Sequence, residues 1–200
     1  LPDAFGRFAE EQNAETQTVE SRLANIMIEC LRNGDRKSGQ EYLVLLAVLA
    51  DEQSMLSKLR ELSKDKSLPS RGVILAHRLG MKDAQVTGEV LEYVKNSSEA
   101  ETEVFVPSIE GLADAEHLLF LVSLSKHAQG SLRKSIQLAV STIKAGEAVP
   151  YLIDLLDSDD SLVRLRSLMS LSRCVGPRQK AGKVVTFSRE NDAEAVQLWK

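Results

Sequence analysis

The sequence predicts an all-α protein of the α-solenoid type, built from about five stacked helical hairpins with a C-terminal capping helix. Hydrophobic residues make up 43% of the 200 residues and aromatic residues only 4%, so we expect a core of aliphatic side chains on helices. Apolar residues recur at the i, i+3, i+4 and i+7 spacing of one helix face, as at Val149, Leu152, Ile153 and Leu156. This pattern returns every 31 residues, as the alignment of Leu118 with Val149 shows, and such a period is typical of a repeat architecture.

Equivalent positions of the repeat are mostly apolar in every unit. In the first helices one position is occupied by Ile28, Leu59, Val90, Leu121 and Leu152. In the second helices three positions are occupied by Leu43, Ile74, Phe105, Ile136 and Ser167; by Ala47, Arg78, Ile109, Val140 and Leu171; and by Ala50, Met81, Leu112, Ile143 and Cys174. The array is predicted to span residues 16–175, with units near 16–50, 52–81, 83–112, 114–145 and 147–175.

The segment before the array, residues 1–15, is polar apart from Phe5 and Phe8, and we interpret it as a loose arm or a capping piece. The chain begins with Leu1 rather than Met, so we expect a further segment upstream. The sequence does not indicate the cellular compartment of the protein.

The third unit is irregular, because Pro107 falls where its second helix should run. A proline inside a helix removes a hydrogen bond and clashes with the preceding turn, so this helix is expected to be broken or shortened. The segment 96–111 is either a tolerated bend or a loop that protrudes towards a partner. Phe105, Ile109 and Leu112 keep the apolar positions, which favours the bend.

The turn of the last unit is acidic, with Asp157, Asp159 and Asp160 around Ser158. Short side chains of this kind accept hydrogen bonds from the free N–H groups at the start of the next helix. Paired carboxylates could also bind a cation or act as acid and base, but no third ligand is patterned nearby. Helix capping is the favoured interpretation.

The array is predicted to end at Val175, because Gly176 and Pro177 stop the helix and the apolar positions then fall out of phase. A last helix is expected over residues 192–200. Its Trp199 is predicted to cover the open end of the stack rather than to act as a platform for a base or ligand.

The segment Val149–Leu171, "VPYLIDLLDSDDSLVRLRSLMSL", resembles the HEAT repeat, in which a proline-bearing first helix is followed by an Asp-rich turn and a Val-Arg pair. The matching residues are Pro150, Leu155, Leu156, Asp160, Val163 and Arg164, and, one unit earlier, Leu132, Arg133, Ala139 and Val140. The 31-residue step is similar to the short bacterial type of HEAT repeat, which is shared with phycobilin lyase-like proteins. The resemblance implies stacked hairpins whose second helices line a concave face. It also implies a ladder across neighbouring units made by Arg133, Arg164 and Asp160.

Several classes of function are disfavoured by composition. A net charge of −4 gives no general attraction to nucleic acid or to an anionic membrane, so we expect neither partner. The longest apolar run, residues 42–50, is too short to cross a bilayer, and we therefore expect no membrane insertion. Cys30 and Cys174 lie far apart in apolar helical patterns, which predicts two buried, reduced thiols rather than a disulfide.

No catalytic, cofactor or metal site is predicted. HEAT-like hydroxylases with a di-iron site carry His-Glu dipeptides, whereas this chain has only the reverse order at Glu116 and His117. HEAT-like DNA glycosylases need a strongly basic, aromatic face, which the composition does not provide. His77 is interpreted as a packed residue near the seam between repeats, because no further metal ligand follows at a suitable spacing.

The second-helix segments are basic, while the first-helix segments lean towards acidic residues. Five of these basic residues are candidates for contacting a partner: Arg71, Arg78, Lys134, Arg166 and Arg173. The sequence therefore favours a non-enzymatic scaffold that binds an acidic segment of another protein on a mildly basic concave face. Two alternatives stay open, an enzyme or chaperone-like accessory of the bilin lyase type and a purely structural segment of a longer array. A simple solvated face with structural arginines explains the same charges.

Overall fold

The computed structural model describes residues 52–175 continuously, and in addition residues 22, 25, 26, 28–33, 38, 39, 41–43, 179, 180, 183, 184, 196 and 197. The chain divides into two compact units, residues 1–86 and residues 87–200. Helices that pack against one another form both units, which confirms the all-α prediction. Among the described residues the β structure consists of two short antiparallel strands, β1 (Gln179–Lys180) and β2 (Lys183–Val184).

The first unit contains a helical hairpin made of α1 (Glu52–Leu62) and α2 (Arg71–Gly80), which contact each other. The hairpin forms because each helix has one aliphatic face, and these faces are buried together with residues from the preceding segment. The buried aliphatic side chains of this unit include Leu31, Leu43, Met55, Leu59, Leu62, Ile74, Leu75 and Leu79.

The second unit contains the remaining helices. They are α3 (Thr87–Asn96), α4 (Glu99–Thr102), α5 (Val106–Glu110), α6 (Leu118–Ser125), α7 (Gly130–Thr142), α8 (Val149–Asp154) and α9 (Ser161–Val175). Short 3₁₀ turns at Glu103–Phe105, Gly146–Ala148 and Leu155–Asp157 join or extend them.

Helix α7 is central to the second unit, because it contacts α5 and α9 as well as its hairpin partner α6. In the same way, α8 contacts α9, and α3 contacts α6. The order α5, α7, α9 is the one expected of the second helices of successive hairpins. The array of about five hairpins along the whole chain stays a prediction.

Two of the equivalent positions of the repeat coincide with the core in the hairpins described below. Leu43, Ile74, Phe105, Ile136 and Ser167 are all buried, at 2% exposure or less. The hydroxyl group of Ser167 donates to the carbonyl oxygen of Val163 at 2.9 Å, which satisfies the one polar group in this set. The first-helix position is buried at Leu59, Val90, Leu121 and Leu152. The period therefore identifies the face of each of these helices that is buried.

The irregular segment around Pro107 is a bend. The helix stops after Thr102 and starts again as α5, so Pro107 lies in the first turn of a new helix, where its missing N–H group costs nothing. Phe105 and Ile109 are fully buried, and the ring of Phe105 meets Tyr93 edge to face at 5.8 Å. The protruding-loop hypothesis is therefore wrong for this segment, and the broken helix is confirmed.

Some predictions fall on residues that the structure does not describe. The arm at residues 1–15, much of the first predicted unit and Trp199 lie outside the described residues. Both cysteines are described and free, but Cys30 and Cys174 are half-buried, which corrects the expectation of fully buried thiols. None of the described helices has the length and apolar character required to cross a bilayer.

Candidate functional site

Helix α9 exposes a stripe that combines positive charge with apolar surface. Leu162, Arg166, Met169 and Arg173 follow one another at steps of three or four residues and therefore share one side of the helix. Leu162 is 43% exposed and Met169 is 41% exposed, and both arginines are exposed. No acidic side chain within the described part of the chain pairs with Arg166 or Arg173. We call these four residues the α9 face.

Lys134 does not lie free on the surface but forms an ion pair. Its Nζ lies 2.7 Å from Oδ2 of Asp160, while the other oxygen of Asp160 accepts a hydrogen bond from the backbone N–H of Leu162 at 2.8 Å. Both contacts stabilise the ionised carboxylate, and the Lys134 hydrogen bond is the main reason that the pKa of Asp160 is lowered. Asp160 therefore caps α9 and links it to α7, which confirms capping for this residue.

A contact between neighbouring hairpins is present at Asp160, but it is made by a different residue from the one that the HEAT resemblance implies. Lys134, the neighbour of Arg133, makes the contact to Asp160, whereas Arg133 is exposed and lines a groove beside α8. Arg164 donates from Nη1 to the carbonyl oxygen of Ser158 at 2.7 Å, within its own turn. The predicted role of Arg133 as a rung to Asp160 is corrected accordingly, because one residue along a helix rotates the side chain by about 100°. The role of Arg164 in the ladder stays a prediction.

Arg78 does not contribute to a partner-binding surface, which corrects that prediction. Its side chain is 1% exposed, and its Nε donates to Oδ2 of Asp83 at 2.9 Å. A further hydrogen bond joins Nη1 of Arg78 to the hydroxyl group of Ser63. The repeat period indicated that Arg78 would be buried, because Arg78 occupies the position that is filled by Ile109 and Val140 in later units. Both of these residues are buried.

Arg71 is likewise buried and is removed from the set of partner-binding candidates. It is 7% exposed, and its Nε donates to the carbonyl oxygen of Ser63 at 2.9 Å. The guanidinium group thus ties α2 to the turn of its own hairpin. Arg164 makes the corresponding contact to Ser158 in the last hairpin, so these two arginines share a structural role.

Asp83 is a structural residue that sequence reasoning missed. Its carboxylate is fully buried, and Arg60 donates to it from Nη2 at 2.7 Å and from Nε at 3.1 Å, beside the contact from Arg78. The hydrogen bonds from Arg60, with those from Arg78 and the backbone N–H of Gln85, lower the pKa of Asp83 to about 2 in spite of its burial. A carboxylate occupied in this way by two arginines holds the fold together rather than acting as a base.

His77 is packed, as its position in the second helix predicts. Its Nε2 is buried without a hydrogen-bond partner, and burial lowers its pKa, so the ring is neutral at pH 7. Within the described ranges no group of three His, Cys, Asp or Glu side chains is arranged to hold a metal ion.

Comparison of the chain with models of protein families, with curated protein sequences and with solved structures gave no match. The resemblance to HEAT repeats therefore stays a prediction from the residues and the period described above.

Proposed function

We propose that this protein is a non-enzymatic HEAT-like scaffold that binds an acidic segment of another protein on the α9 face. The observation that carries the proposal is the pair of exposed arginines, Arg166 and Arg173, one heptad apart on α9. Exposed cations that form no ion pair within the described part of the chain are available to attract a negatively charged partner.

The apolar part of the α9 face specifies the partner further. Leu162 and Met169 are also one heptad apart and alternate with the arginines along the stripe. An amphipathic helix recognises such a surface through anchors at the same spacing. A methionine suits this role because its flexible, polarisable side chain adapts to different partners. The partner segment is therefore a helix that carries leucine-like residues a heptad apart and acidic residues beside them.

Two of the five residues predicted to contact a partner are buried and are therefore not available for binding. Arg166 and Arg173 remain as the principal cations, and Lys134 contributes less because Asp160 already neutralises it. Arg71 and Arg78 belong to the core of the first unit. The resulting surface lies on the second helix of the last hairpin, which the HEAT resemblance places on the concave side.

Charge reversal tests the proposal. The double variant Arg166→Glu/Arg173→Glu should lose capture of partner proteins from cell extract and should lose binding to a synthetic acidic helix with leucines one heptad apart. The matched control is Lys64→Glu/Lys144→Glu, which makes the same change in net charge at two other exposed lysines. Circular dichroism and thermal unfolding should be the same for all three proteins, because all four positions are exposed.

The wild-type interaction should weaken as the salt concentration rises, since dissolved ions shorten the distance over which exposed charges attract one another. Equal capture by both double variants would contradict the proposal. Binding that is lost in the control as well would show a dependence on net charge alone and would count against the α9 face.

A further inference from the structure

A cavity of about 320 Å³ is enclosed by α6, α7 and α8 in the second unit. Its volume lies at the lower end of the range of roughly 300–1,000 Å³ that is usual for sites of small organic molecules. Aliphatic side chains and a tyrosine line it together with one charged residue from each of the three helical segments. We call it the α6–α8 cavity.

The charged residues lie at one end of the α6–α8 cavity. Lys126 directly follows α6, Arg133 lies in the first turn of α7, and Asp154 is the last residue of α8. The end of α6 and the start of α7 are neighbours because a short turn joins them. The ion pair between Lys134 and Asp160 holds the start of α7 beside the turn that follows α8. All three charged side chains therefore belong to the end of the cavity where the hairpin turns lie.

These three charged groups are available to a ligand. Lys126, Arg133 and Asp154 are exposed, and no ion pair joins any of them to another side chain in the part of the chain that the structure describes. Two walls of the charged end are thus cationic and the third is anionic. A ligand that carries both a carboxylate and an ammonium group complements all three walls.

The other end of the α6–α8 cavity is apolar. Val122 and Tyr151 lie one turn before the charged residues of α6 and α8, and Val140 lies about two turns after the charged residue of α7. Each turn adds about 5.4 Å, which is comparable with the length of a large apolar side chain. Val122 and Tyr151 are half-buried, so an apolar group that covers them gains free energy.

We infer that the α6–α8 cavity binds a free α-amino acid with an apolar side chain of the size of leucine or phenylalanine. The carboxylate of the ligand lies against Lys126 and Arg133, and its ammonium group lies against Asp154. The apolar side chain extends away from the charged end, between Val122 and Tyr151.

Ligands with a single charged group fit the cavity less well. A carboxylic acid without an amino group leaves Asp154 without a cation and places two negative charges near each other. An amine without a carboxylate leaves Lys126 and Arg133 without an anion. Specificity of this kind comes from repulsion as well as from attraction. A long acyl chain or a cofactor of several rings exceeds the volume of the cavity.

This inference does not rest on the proposed function. The α6–α8 cavity and the α9 face have no residue in common. The variant Arg166→Glu/Arg173→Glu should therefore bind the amino acid as the wild type does, whatever its effect on a protein partner.

Isothermal titration calorimetry of the full chain tests the ligand class. We expect saturable binding of L-leucine and L-phenylalanine with dissociation constants on the order of 0.1–1 mM, as suits ligands of this size. Binding should be about tenfold weaker for 3-phenylpropionate, which lacks the ammonium group, and for 2-phenylethylamine, which lacks the carboxylate. No saturable binding of either amino acid up to about 10 mM, or equal affinity for L-phenylalanine and 3-phenylpropionate, would overturn the inference.

Charge variants test the orientation of the ligand. Asp154→Asn should weaken binding of L-phenylalanine by about tenfold but strengthen binding of 3-phenylpropionate, because the repulsion between two negative charges is removed. Arg133→Gln should weaken the binding of both. Asp159→Asn is the matched control, since Asp159 is exposed and does not line this cavity. If Asp154→Asn left the ratio of the two affinities unchanged, Asp154 would not contact the ammonium group and the inference would be wrong.

Filling the cavity tests the location of the site. Val122→Trp should abolish binding of L-phenylalanine, because the larger side chain occupies the apolar end. Leu119→Trp is the matched control on the same helix, since Leu119 is 69% exposed and does not line the cavity. Circular dichroism should show the same helix content in both variants. Binding that persists in a folded Val122→Trp variant would place the site elsewhere and would count against the inference.

Discussion

Arg78 and Asp83 form an ion pair in the interior of the first unit, with Nη2 of Arg78 2.8 Å from Oδ2 of Asp83 and both side chains at 1% exposure or less. A charge removed from water is tolerated only when its partner and its hydrogen bonds replace the lost hydration. Arg60 and the backbone N–H of Gln85 also donate to Asp83, and Arg78 donates to the hydroxyl group of Ser63, so the pair connects α1, α2 and the turn after α2.

Removal of the shared carboxylate should destabilise this unit strongly. Asp83→Ala leaves the buried guanidinium of Arg78 without its anion, and we expect the free energy of unfolding to fall by about 3 kcal/mol. Urea denaturation followed by circular dichroism measures the change. Asp159→Ala is the matched control, because Asp159 is exposed, and it should change stability little. Similar losses in the two variants would contradict the role of the buried pair.

The same pair should make stability depend on pH in the acid range. The pKa of Asp83 is lowered in the folded protein from 3.8 to about 2, mainly by the hydrogen bonds from Arg60. A carboxyl group with a lowered pKa stabilises the fold above its ordinary pKa, and this contribution, on the order of 2 kcal/mol, is lost as the pH falls from about 4 towards 2. The stability difference between the wild type and Asp83→Asn should therefore narrow over this interval in unfolding experiments at several pH values. A difference that is constant from pH 6 to below 3 would refute the assignment.

Gly130 should not tolerate a side chain. It begins α7 with a φ of +47°, and a Cβ placed there would overlap the carboxylate of Glu99. We expect Gly130→Ala to lower the free energy of unfolding by about 1–2 kcal/mol for the left-handed backbone alone. Gly88→Ala is the control, because a Cβ at Gly88 in α3 meets nothing within 4 Å, and it should not destabilise the protein.

The double variant Glu99→Ala/Gly130→Ala separates the two causes. It should recover the part of the loss that comes from overlap with Glu99 and retain the part that comes from the backbone. If it were as unstable as Gly130→Ala, the contact with Glu99 would have no energetic effect.

The contact between Lys134 and Asp160 should be visible in the titration of the acid. In Lys134→Met the pKa of Asp160 should rise towards its ordinary value, because the ammonium group that favours the carboxylate is lost. Titration of the carboxyl carbon by NMR measures this shift. Arg133→Met is the control, since Arg133 does not contact Asp160 in the described hydrogen bonds and ion pairs, and it should leave the titration nearly unchanged. A larger effect of Arg133→Met would restore the ladder that the HEAT resemblance implies.

Asp160 should matter more for stability than Lys134 does. Asp160→Ala removes the cap of α9 as well as the ion pair, whereas Lys134→Met removes the ion pair alone. The midpoint of thermal unfolding should therefore fall further in Asp160→Ala. Equal midpoints would show that the cap contributes nothing.

The candidate site was only partly predictable. Arg166 and Arg173 were predicted correctly as exposed basic residues, because charges on the polar side of an amphipathic helix remain in water. Arg71 and Arg78 were predicted to share this surface, but they are buried.

The sequence alone determined which side of each repeated helix is buried, as Leu59, Val90 and Leu121 illustrate. This is possible because burial of aliphatic side chains depends on how much apolar surface one helix presents, which the spacing along the chain already records. Only the tertiary structure decided which charged side chains are buried and which residues they pair with. Arg78 is paired with Asp83 in the interior, and Lys134 rather than Arg133 is paired with Asp160. The environment of a charge depends on groups that other segments bring within about 3 Å of it, and a period along the chain contains no information about that distance.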